Sequence, residues 1–305
     1  MINDDYIVNA EVPDFEMEAI QKLENDGVVV ITNLLDKNIV EEIFLDAKEV
    51  LNKPSNRGSY GYITKDAYKR MYHGFLFSKH TVNTVSHPKI ISIIESYLQE
   101  KIVMTECMLK HDLGSDSVYF PYHRHTGSDL VNVSGNMFGC GVIYYLHDTS
   151  DGAFCYVPGS HKLPIDKKIN LLSQDGDKKN QIIENLCRMD GPKGSLVIFN
   201  EAGWHGPEQP TSKPRTVVLS GYQSKSFSEN KTRTEIPILT SNIQSLSDIQ
   251  KEALGFSSGS RTKYKDYHMR KGPTLMIDKL HQLSVEGLFK LLRWKQRLKN
   301  RKESK

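Results

Sequence analysis

The spacing of hydrophobic and polar positions predicts helices in the first third of the chain and strands in the middle. Apolar residues recur at the spacing of an amphipathic helix in three segments, 14–26, 36–51 and 86–98. Gly27 is expected to end the first helix, Asp36 to cap the second and Ser86 to cap the third. Between the first two helices, the apolar run Val28–Ile31 predicts a short buried strand.

The pattern changes near residue 100, where short runs of β-branched and aromatic residues begin. These runs are separated by Gly, Pro, Asp and Ser, and they cover 102–110, 117–123, 138–146, 153–157, 195–199 and 215–222. Short strands at such spacing are typical of a sandwich, a barrel or a jelly roll. Residues 223–275 are polar and predict a long excursion or a lid, and from 276 the chain becomes helical and basic.

The composition indicates a protein that folds around a sizeable core. The chain has 305 residues, of which 38% are apolar and 25% charged, and its mean hydropathy is -0.47. Wholesale disorder is therefore excluded, and one large domain with appendages is expected for this length. No apolar run is long enough to cross a membrane, and the acidic N-terminus lacks the pattern of a signal peptide, so neither feature is expected.

Charge and cysteine content narrow the function classes further. The 40 basic and 37 acidic residues give a net charge of +3, which argues against a protein that coats nucleic acid. Four cysteines without a CxxC pair fit buried, reduced thiols and predict a cytoplasmic protein. The last twenty residues, 286–305, carry a net charge of +6, so the rest of the chain is slightly acidic.

The basic segment 286–305 also has an apolar side that includes Trp294. A basic amphipathic helix with aromatic residues is typical of contact with a membrane surface or an acidic partner. The alternative is a helix docked on the core and followed by a solvated tail. Both interpretations stay open.

Two histidines, His123 and His125, lie two residues apart in the segment YHRHTG. On a strand, side chains at i and i+2 point to the same face, so both rings can approach one metal ion. Alone, this spacing is more typical of an ordinary surface or of a hydrogen-bonded pair. The two residues are therefore candidates that need support from elsewhere in the chain.

A third histidine and an arginine follow the strand-like segment GSLVIF. His205 lies in the loop after that strand, and Arg215 begins the next apolar strand ten residues later. An unpaired buried charge is costly, so Arg215 needs an anionic partner, and its planar guanidinium suits a carboxylate. Pro158 and Gly159, in the segment VPGSHK, by themselves predict only a tight turn.

Taken together, the segments YHRHTG, DGAFCYVPGSHK, GSLVIFNEAGWHG and KPRTVVLSGY resemble the phytanoyl-CoA dioxygenase family of non-haem iron, 2-oxoglutarate-dependent oxygenases. The resemblance covers residues 14–222 in outline, with sharp motifs from 122 to 222. It implies a mainly β protein with flanking helices, in which N-terminal helices precede a double-stranded β-helix, the cupin-like jelly roll. It also implies Fe²⁺ and 2-oxoglutarate as cofactors.

The family's functional residues map onto named positions of this chain. His123 falls on the first iron ligand, His205 on the distal iron ligand, and Arg215 on the arginine that holds the far carboxylate of 2-oxoglutarate. Tyr144, on a central strand, is a further candidate for contact with the keto acid. The family's carboxylate ligand falls on His125, so the resemblance implies a metal and catalytic site of three histidines instead of two histidines and a carboxylate.

This departure leaves several alternatives open. If His125 were the first ligand, Gly127 would fall on the carboxylate position, as in halogenase variants, and Asp129 is a further carboxylate that could swing in. Three histidines with an open position also describe catalytic zinc, and iron with three histidines occurs in thiol dioxygenases that use no keto acid. Arg215, to which the resemblance gives the role of keto-acid anchor, argues against the zinc site and against a thiol dioxygenase.

The resemblance implies an enzyme that uses O₂ and 2-oxoglutarate to hydroxylate an unactivated C–H bond and releases succinate and CO₂. The expected substrate is a small molecule, or one of lipid or sugar type. Two alternatives come from other classes: a catalytically silent metal-binding module and a zinc hydrolase. The expected location is the cytoplasm, with peripheral membrane contact through 286–305 as the further option.

The expected domain organisation is one catalytic domain followed by a basic tail. The domain, 1–275, would comprise N-terminal helices over 1–100, the β-helix core over 101–222 and the polar excursion over 223–275. The amphipathic helix or tail occupies 276–305.

Several residues near the motifs have weaker assignments. His147 and Asp148 are expected to be turn residues, and His161 to hold the turn that closes the barrel. Trp204 either walls the metal pocket or fills the core. Segment 66–80 either covers the substrate or packs as a surface loop.

Overall fold

The computed structural model describes residues 4–52, 62–64, 68–71, 74–114, 121–125, 139–164, 170–209, 211–226, 235–238, 243, 245–256 and 263–266. The predicted basic tail, 276–305, lies outside these residues, as do the alternative ligand positions Gly127 and Asp129.

Helices and strands occur in the order that the sequence predicts, with most helices first. The helices of the described residues are α1 (Phe15–Asp26), α2 (Lys37–Asn52), α3 (Thr81–Val85), α4 (Pro88–Leu98), α5 (Gly176–Glu184) and α6 (Asp248–Ala253). The strands are β1 (Ile7–Asn9), β2 (Val28–Thr32), β3 (Tyr62–Thr64), β4 (Tyr68–Met71), β5 (Ile102–Asp112), β6 (Gly139–Tyr145), β7 (Phe154–Tyr156), β8 (Cys187–Met189), β9 (Leu196–Asn200), β10 (His205–Pro207), β11 (Arg215–Ser224), β12 (Glu235–Ile238) and β13 (Lys263–Asp266). None of the helices described is long and apolar enough to cross a membrane.

Two sheets build the core of the protein. The large sheet has the strand order β1-β2-β9-β6-β11-β5-β4-β3, and the small sheet has the order β10-β7-β8. Neighbouring strands are antiparallel in both sheets, except for the parallel pair β1 and β2. Side chains of β7 and β8 pack with those of β6, β9 and β11 in one apolar cluster. This architecture confirms the predicted mainly β jelly roll with flanking helices.

The large sheet separates a helix-covered face from the face that meets the small sheet. All of β6 is buried, and its side chains alternate between the two faces. Val142 and Tyr144 pack into the cluster that contains the N-terminal helices, whereas Ile143 and Tyr145 pack toward the small sheet. The space between the sheets is therefore lined by the odd-numbered residues of β6.

Five of the six predicted runs correspond to strands, namely β5, β6, β7, β9 and β11. In the described part of the run 117–123, only His123 pairs, through isolated bridges to Asn170 and His205. Seven further strands of the described residues were not predicted, because three or four residues are too short to carry a periodic pattern. They are β1, β3, β4, β8, β10, β12 and β13.

The helix ends agree with the sequence at two of three places. Gly27 ends α1 with φ at 77°, and Asp36 accepts a 2.7 Å hydrogen bond from the amide of Asn38 at the start of α2. The prediction of Ser86 as the cap of α4 was wrong. His87 is the cap, because its ring accepts a hydrogen bond from the Lys89 amide, while the Ser86 hydroxyl donates to a carbonyl of α3.

The Pro-Gly turn after β7 docks on the end of α1. The Gly159 amide donates to the Asp26 carbonyl at 2.8 Å, and the buried His161 ring lies against Gly27. Burial lowers the pKa of His161 to about 4, so this ring is neutral at physiological pH. His161 therefore has the structural place that its motif suggested.

Replacing Gly27 with alanine is expected to lower the free energy of unfolding by about 2–4 kcal/mol. A left-handed residue other than glycine costs about 1–2 kcal/mol, and overpacking costs about 1–3 kcal/mol. Here the new Cβ would lie 2.3 Å from the His161 ring and 2.7 Å from the Tyr156 hydroxyl. Denaturant unfolding measures the effect, with Gly176→Ala as the control because nothing lies within 4 Å of its added Cβ. Equal stability of the two variants would contradict this packing.

Part of the predicted polar excursion belongs to the core. Leu246, Ala253 and Leu254 are buried in the cluster beneath the N-terminal helices. A capping box at Ser247 and Gln250 starts α6. The segment 245–256 thus packs on the domain instead of projecting from it.

Candidate active site

Backbone pairing brings three histidines together beside the small sheet. His205 begins β10, and it exchanges two backbone hydrogen bonds of 2.9 Å with His123. The amide of His125 donates to the Glu201 carbonyl at 2.9 Å. These contacts place both histidines of the YHRHTG segment next to the third, which lies 80 residues later in the chain.

The residue between the two histidines anchors them from the opposite side. Arg124 is buried, and its guanidinium donates to the carbonyls of Ala202, Ser160, Leu163 and Pro164. All four acceptors belong to the turns around the two motifs that carry PGSH and WHG. Alternation along the segment then directs His123 and His125 away from Arg124 and toward His205.

The three imidazole rings have the geometry of ligands to one metal ion. One ring nitrogen of each histidine lies within 4.8 Å of the other two, and the Nε2 atoms of His123 and His125 are 3.1 Å apart. Two nitrogens bound at about 2.1 Å to one metal, at angles of roughly 90–110°, are about 3.0–3.4 Å apart. The spacing therefore fits a shared metal, with room for further ligands on the cavity side.

Each ring is oriented by an acceptor at its other nitrogen. The Nδ1 atom of His123 lies 3.1 Å from the Pro121 carbonyl, and that of His205 lies 2.9 Å from the Gly203 carbonyl. The Nδ1 atom of His125 lies 3.4 Å from the Glu201 carboxylate. Such acceptors keep the proton on Nδ1 and leave the Nε2 lone pair for a metal.

Burial and neighbouring charges set the protonation of the cluster. Burial, with the adjacent His125, lowers the pKa of His123 to about 3, and burial lowers the pKa of His205 well below its ordinary value. Burial also acts to lower the pKa of His125, but the Glu201 and Glu106 carboxylates outweigh it, so the net shift is upward. His123 and His205 are thus neutral donors at physiological pH.

A cavity of about 190 Å³ opens in front of the histidines. By the same measure one water needs only about 10–15 Å³, so the space suits a small organic ligand. The three histidines occupy one wall, and apolar side chains line much of the rest. The apolar lining consists of Met108, Ile143, Phe154, Phe199, Pro207, Val217 and Leu219.

The remaining wall carries charges of both signs, Arg70, Glu106, Lys110, Glu201 and Arg215. Burial shifts the pKa values of two of these residues. It raises the pKa of Glu106 and lowers the pKa of Lys110 to about 8. Lys110 lies on β5, opposite Val217 and two residues from the pairing position of Arg215. The cavity is therefore strongly polar at the end that Arg215 and Lys110 share.

Arg215 has the buried anionic partner that its sequence context requires. Its Nε atom donates to the Asp112 carboxylate on the neighbouring strand, and Nη1 donates to the carbonyls of Gly152 and Ala153 at 3.2 and 3.3 Å. The Arg215–Asp112 pair is formally neutral. Lys110 and Arg70 are then the further cations of this wall, and Lys110 lies two residues from Asp112 on β5.

Replacing Arg215 with methionine is expected to destabilise the metal-free protein by about 3–5 kcal/mol. The substitution leaves Asp112, which is 3% exposed, as a buried charge without its partner, and breaking a buried pair typically costs that much. Adding Asp112→Asn should recover a large part of the loss. Denaturant unfolding of the single and double variants measures both effects, and a single variant as stable as wild type would contradict the pairing.

Other candidates from the sequence do not reach the cavity. Tyr144 lies on the helix-covered face of β6, with its hydroxyl toward the Val85 carbonyl, so the structure does not bring it to the histidines. Trp204 is buried in a small separate cluster and fills core. His147 and Asp148 bond the backbone of Thr216 and Lys193 at a strand end, as turn residues do.

Four residues of the cavity were missed or only weakly indicated by the sequence. Arg70 comes from segment 66–80, whose contribution to the site the sequence left undecided, and it lies on β4. Glu106 and Lys110 were missed, although charged residues at i and i+4 of an apolar strand are a usable signal for a polar wall. Glu201 was missed because nothing local marks it as different from a turn residue.

Several solved structures share this fold. EctD from S. alaskensis, solved with 2-oxoglutarate and 5-hydroxyectoine, is 14% identical, with a TM-score of 0.58 over 82% of this chain and 87% of that one. The non-heme alpha ketoglutarate dependent epimerase SnoN from nogalamycin biosynthesis is 16% identical, with a TM-score of 0.53 over 70% and 84%. AviO1 from Streptomyces viridochromogenes Tue57 is 17% identical, with a TM-score of 0.53 over 68% and 95%.

At these identities the structural likeness establishes the fold alone. Among curated proteins, none matches the sequence significantly. The profile of the family described as Phytanoyl-CoA dioxygenase (PhyH) matches residues 23–217, which is more than half of the chain. That family uses Fe(II) and 2-oxoglutarate. The chain therefore belongs to the phytanoyl-CoA dioxygenase family and, with it, to the 2-oxoglutarate-dependent oxygenases.

Proposed function

We propose that the protein is an Fe(II)- and 2-oxoglutarate-dependent hydroxylase whose metal is held by His123, His125 and His205. The observation that carries this proposal is the convergence of three oriented imidazoles on one cavity, with a 3.1 Å spacing between two of the donor atoms. Family membership supplies the cofactors. His125 takes the position of the usual carboxylate ligand.

The protein's own residues would hold and orient the reactants. Bound Fe(II) would supply the O₂ chemistry that couples loss of CO₂ from the keto acid to hydroxylation of a C–H bond. The acceptors at the Nδ1 atoms of the histidines fix the direction of the Nε2 lone pairs. The apolar wall, which includes Phe154 and Phe199, keeps bulk water from the reacting atoms.

The far carboxylate of the keto acid is assigned to the wall formed by Lys110 and Arg215. Both residues line the cavity, and Lys110 lies close enough to influence electrostatically all three histidines. A ligand that joins the metal to Arg215 lies in the cavity that Lys110 also lines. Because Asp112 neutralises Arg215, Lys110, which is two residues from Asp112 on β5, adds the positive charge that a second carboxylate needs at this end.

Keto-acid binding is expected to weaken as the pH rises past about 8. Burial lowers the pKa of Lys110 to about 8, helped by Arg70 and Arg215 and opposed by Glu106 and Asp112. The ammonium is present below this pH and lost above it, so the affinity of the metal-loaded protein for 2-oxoglutarate should fall up to about tenfold per pH unit above it. Calorimetric titrations between about pH 6.5 and 9.5 measure the slope. A flat profile would contradict the assignment.

The proposed substrate is a small molecule, or one of lipid or sugar type, that presents an unactivated C–H bond to the cavity. Glu106 and Arg70 line the same cavity and offer charged groups that can bind polar substituents of a substrate. Cytoplasmic location, and contact of 286–305 with a membrane surface or anionic partner, remain part of this proposal. SnoN is described as an epimerase, so product analysis must distinguish hydroxylation from other oxidative outcomes.

Succinate formation tests the proposed function. Purified protein with Fe²⁺, ascorbate, O₂ and 2-oxoglutarate should release succinate and CO₂ slowly even without its substrate. His123→Ala is the matched control, because it removes a ligand and leaves the apolar and charged lining of the cavity in place. Absence of succinate from metal-loaded wild-type protein, together with absence of keto-acid binding, would refute the proposal.

A second candidate follows from the same three nitrogens. Three neutral histidines with an open position are also a donor set for catalytic zinc, and a site without a carboxylate could serve a metal-binding module that performs no oxidation. Metal analysis of protein purified without chelators separates the candidates. Zinc that Fe²⁺ cannot displace, in a protein that binds no keto acid, would favour this second function.

A further inference from the structure

We infer that Glu201 replaces the missing carboxylate ligand from behind His125, where it supplies the negative charge that holds a divalent metal in the three-histidine site. The inference rests on the proposed function, because it concerns the same metal. It assigns Glu201 as a positioning residue that acts through His125.

Glu201 is held against His125 by two contacts of different kinds. Its carboxylate lies 3.4 Å from the His125 Nδ1 atom, and its carbonyl accepts the His125 amide hydrogen at 2.9 Å. The Glu201 side chain is only 9% exposed. The carboxylate is therefore largely shielded from solvent, although the His125 side chain is 41% exposed, and this shielding strengthens its effect on the ring.

Glu201 acts behind the ring and not as a ligand. In the described part of the chain, the group of residues whose donor atoms lie within 4.8 Å of one another contains the three histidines and no carboxylate. A carboxylate that accepts the Nδ1 hydrogen of a ligating histidine fixes the ring and raises the basicity of its Nε2 atom. The Glu201 carboxylate lies at ion-pair distance, 3.4 Å, from the His125 Nδ1 atom, where it can take this role.

Charge balance explains why this position carries an acid. Two histidines and a carboxylate reduce the charge of a divalent ion to +1, whereas three neutral histidines leave it at +2. Adding Glu201 to the three-histidine set brings the total back to +1. The three histidines and Glu201 together thus carry the same charge as two histidines and a carboxylate. The difference is that the imidazole ring of His125 lies between the carboxylate and the metal.

Glu106 provides the matched comparison. It is an acid that lines the same cavity, and among the described contacts it has no hydrogen bond or ion pair with a histidine ring. If any nearby negative charge were sufficient to hold the metal, removing the charge of Glu106 or of Glu201 would lower metal affinity equally. Because only Glu201 of these two acids contacts the Nδ1 atom of His125, we expect the loss to be larger for Glu201.

The test is a double-mutant cycle read as metal affinity. The dissociation constants of Zn²⁺ and, without oxygen, Fe²⁺ are measured by competition with a chromophoric chelator for wild type, Glu201→Gln, His125→Asp and the double variant. Glu201→Gln keeps an acceptor but removes the charge, and it should weaken metal binding about 10- to 100-fold. In the His125→Asp background the same change should weaken binding by only a few-fold, because the imidazole through which Glu201 acts is absent and only its longer-range attraction to the cation is lost. Thermal unfolding of the metal-free variants monitors the fold.

The outcomes separate the inference from the function on which it rests. Glu106→Gln should change metal affinity by a few-fold at most, and Glu201→Asp should retain more affinity than Glu201→Gln. The role of Glu201 is refuted if Glu201→Gln lowers metal affinity equally in both backgrounds, or does not lower it in the wild-type background. Neither result contradicts the three-histidine metal site. Failure of wild-type protein to bind either metal overturns the proposed function itself.

Discussion

Replacing His205 with alanine is expected to abolish tight metal binding, lowering affinity for Fe²⁺ or Zn²⁺ by about 10²- to 10³-fold. The imidazole is buried and supplies one of three converging nitrogens. Four-ligand zinc sites bind with roughly 10–16 kcal/mol, or about 2.5–4 kcal/mol per ligand, which corresponds to this loss. Succinate release should disappear with the metal.

Competition with a chromophoric chelator measures the loss, and His147→Ala is the control. His147 is a half-buried histidine whose ring also bonds a backbone carbonyl, but it does not line the cavity. Metal affinity should be unchanged in this control. Retention of wild-type affinity by the His205→Ala variant would show that the ion binds elsewhere.

Replacing Lys110 with methionine is expected to weaken 2-oxoglutarate binding by roughly 10- to 150-fold without a comparable loss of metal affinity. A charge-assisted pair with a carboxylate contributes about 1.5–3 kcal/mol, which corresponds to this range. Methionine keeps the length and apolar stem of the side chain, so the cavity wall should remain in place. The Arg215–Asp112 pair does not depend on this substitution.

Two keto acids separate a specific contact from general damage. Calorimetry with metal-loaded protein compares 2-oxoglutarate with 2-oxopentanoate, which lacks the far carboxylate. The Lys110→Met variant should lose affinity for the first and keep its weak affinity for the second, whereas Lys69→Met, on the adjacent strand and outside the cavity lining, should alter neither. An equal loss for both keto acids would contradict a role in carboxylate recognition.

The fold was predictable wherever the elements are long and periodic. The amphipathic patterns gave α1, α2 and α4 within a few residues, and the β-branched runs gave the central strands. The side of β6 that faces the cavity was not predictable, because all seven of its residues are buried. Without a polar face, the pattern could not tell Ile143, which lines the cavity, from Tyr144, which does not.

The histidines of the candidate site were predictable, but the charges around them were not. His123, His125 and His205 lie in short motifs with recognisable neighbours, and the structure brings all three together. Asp112 pairs with Arg215 across 103 residues of sequence, and no local pattern indicates that contact. The same holds for Glu201, whose position behind His125 depends on backbone pairing between distant segments.

The most direct test of the account is a calorimetric titration of 2-oxoglutarate into the protein with and without a bound divalent metal, in the absence of oxygen. A keto-acid site built on the three-histidine metal predicts one equivalent of 2-oxoglutarate bound by the metal-loaded wild type, and no measurable binding by the metal-free protein or by the His205→Ala variant. Equal binding with and without metal, or no binding to the metal-loaded protein, would contradict it.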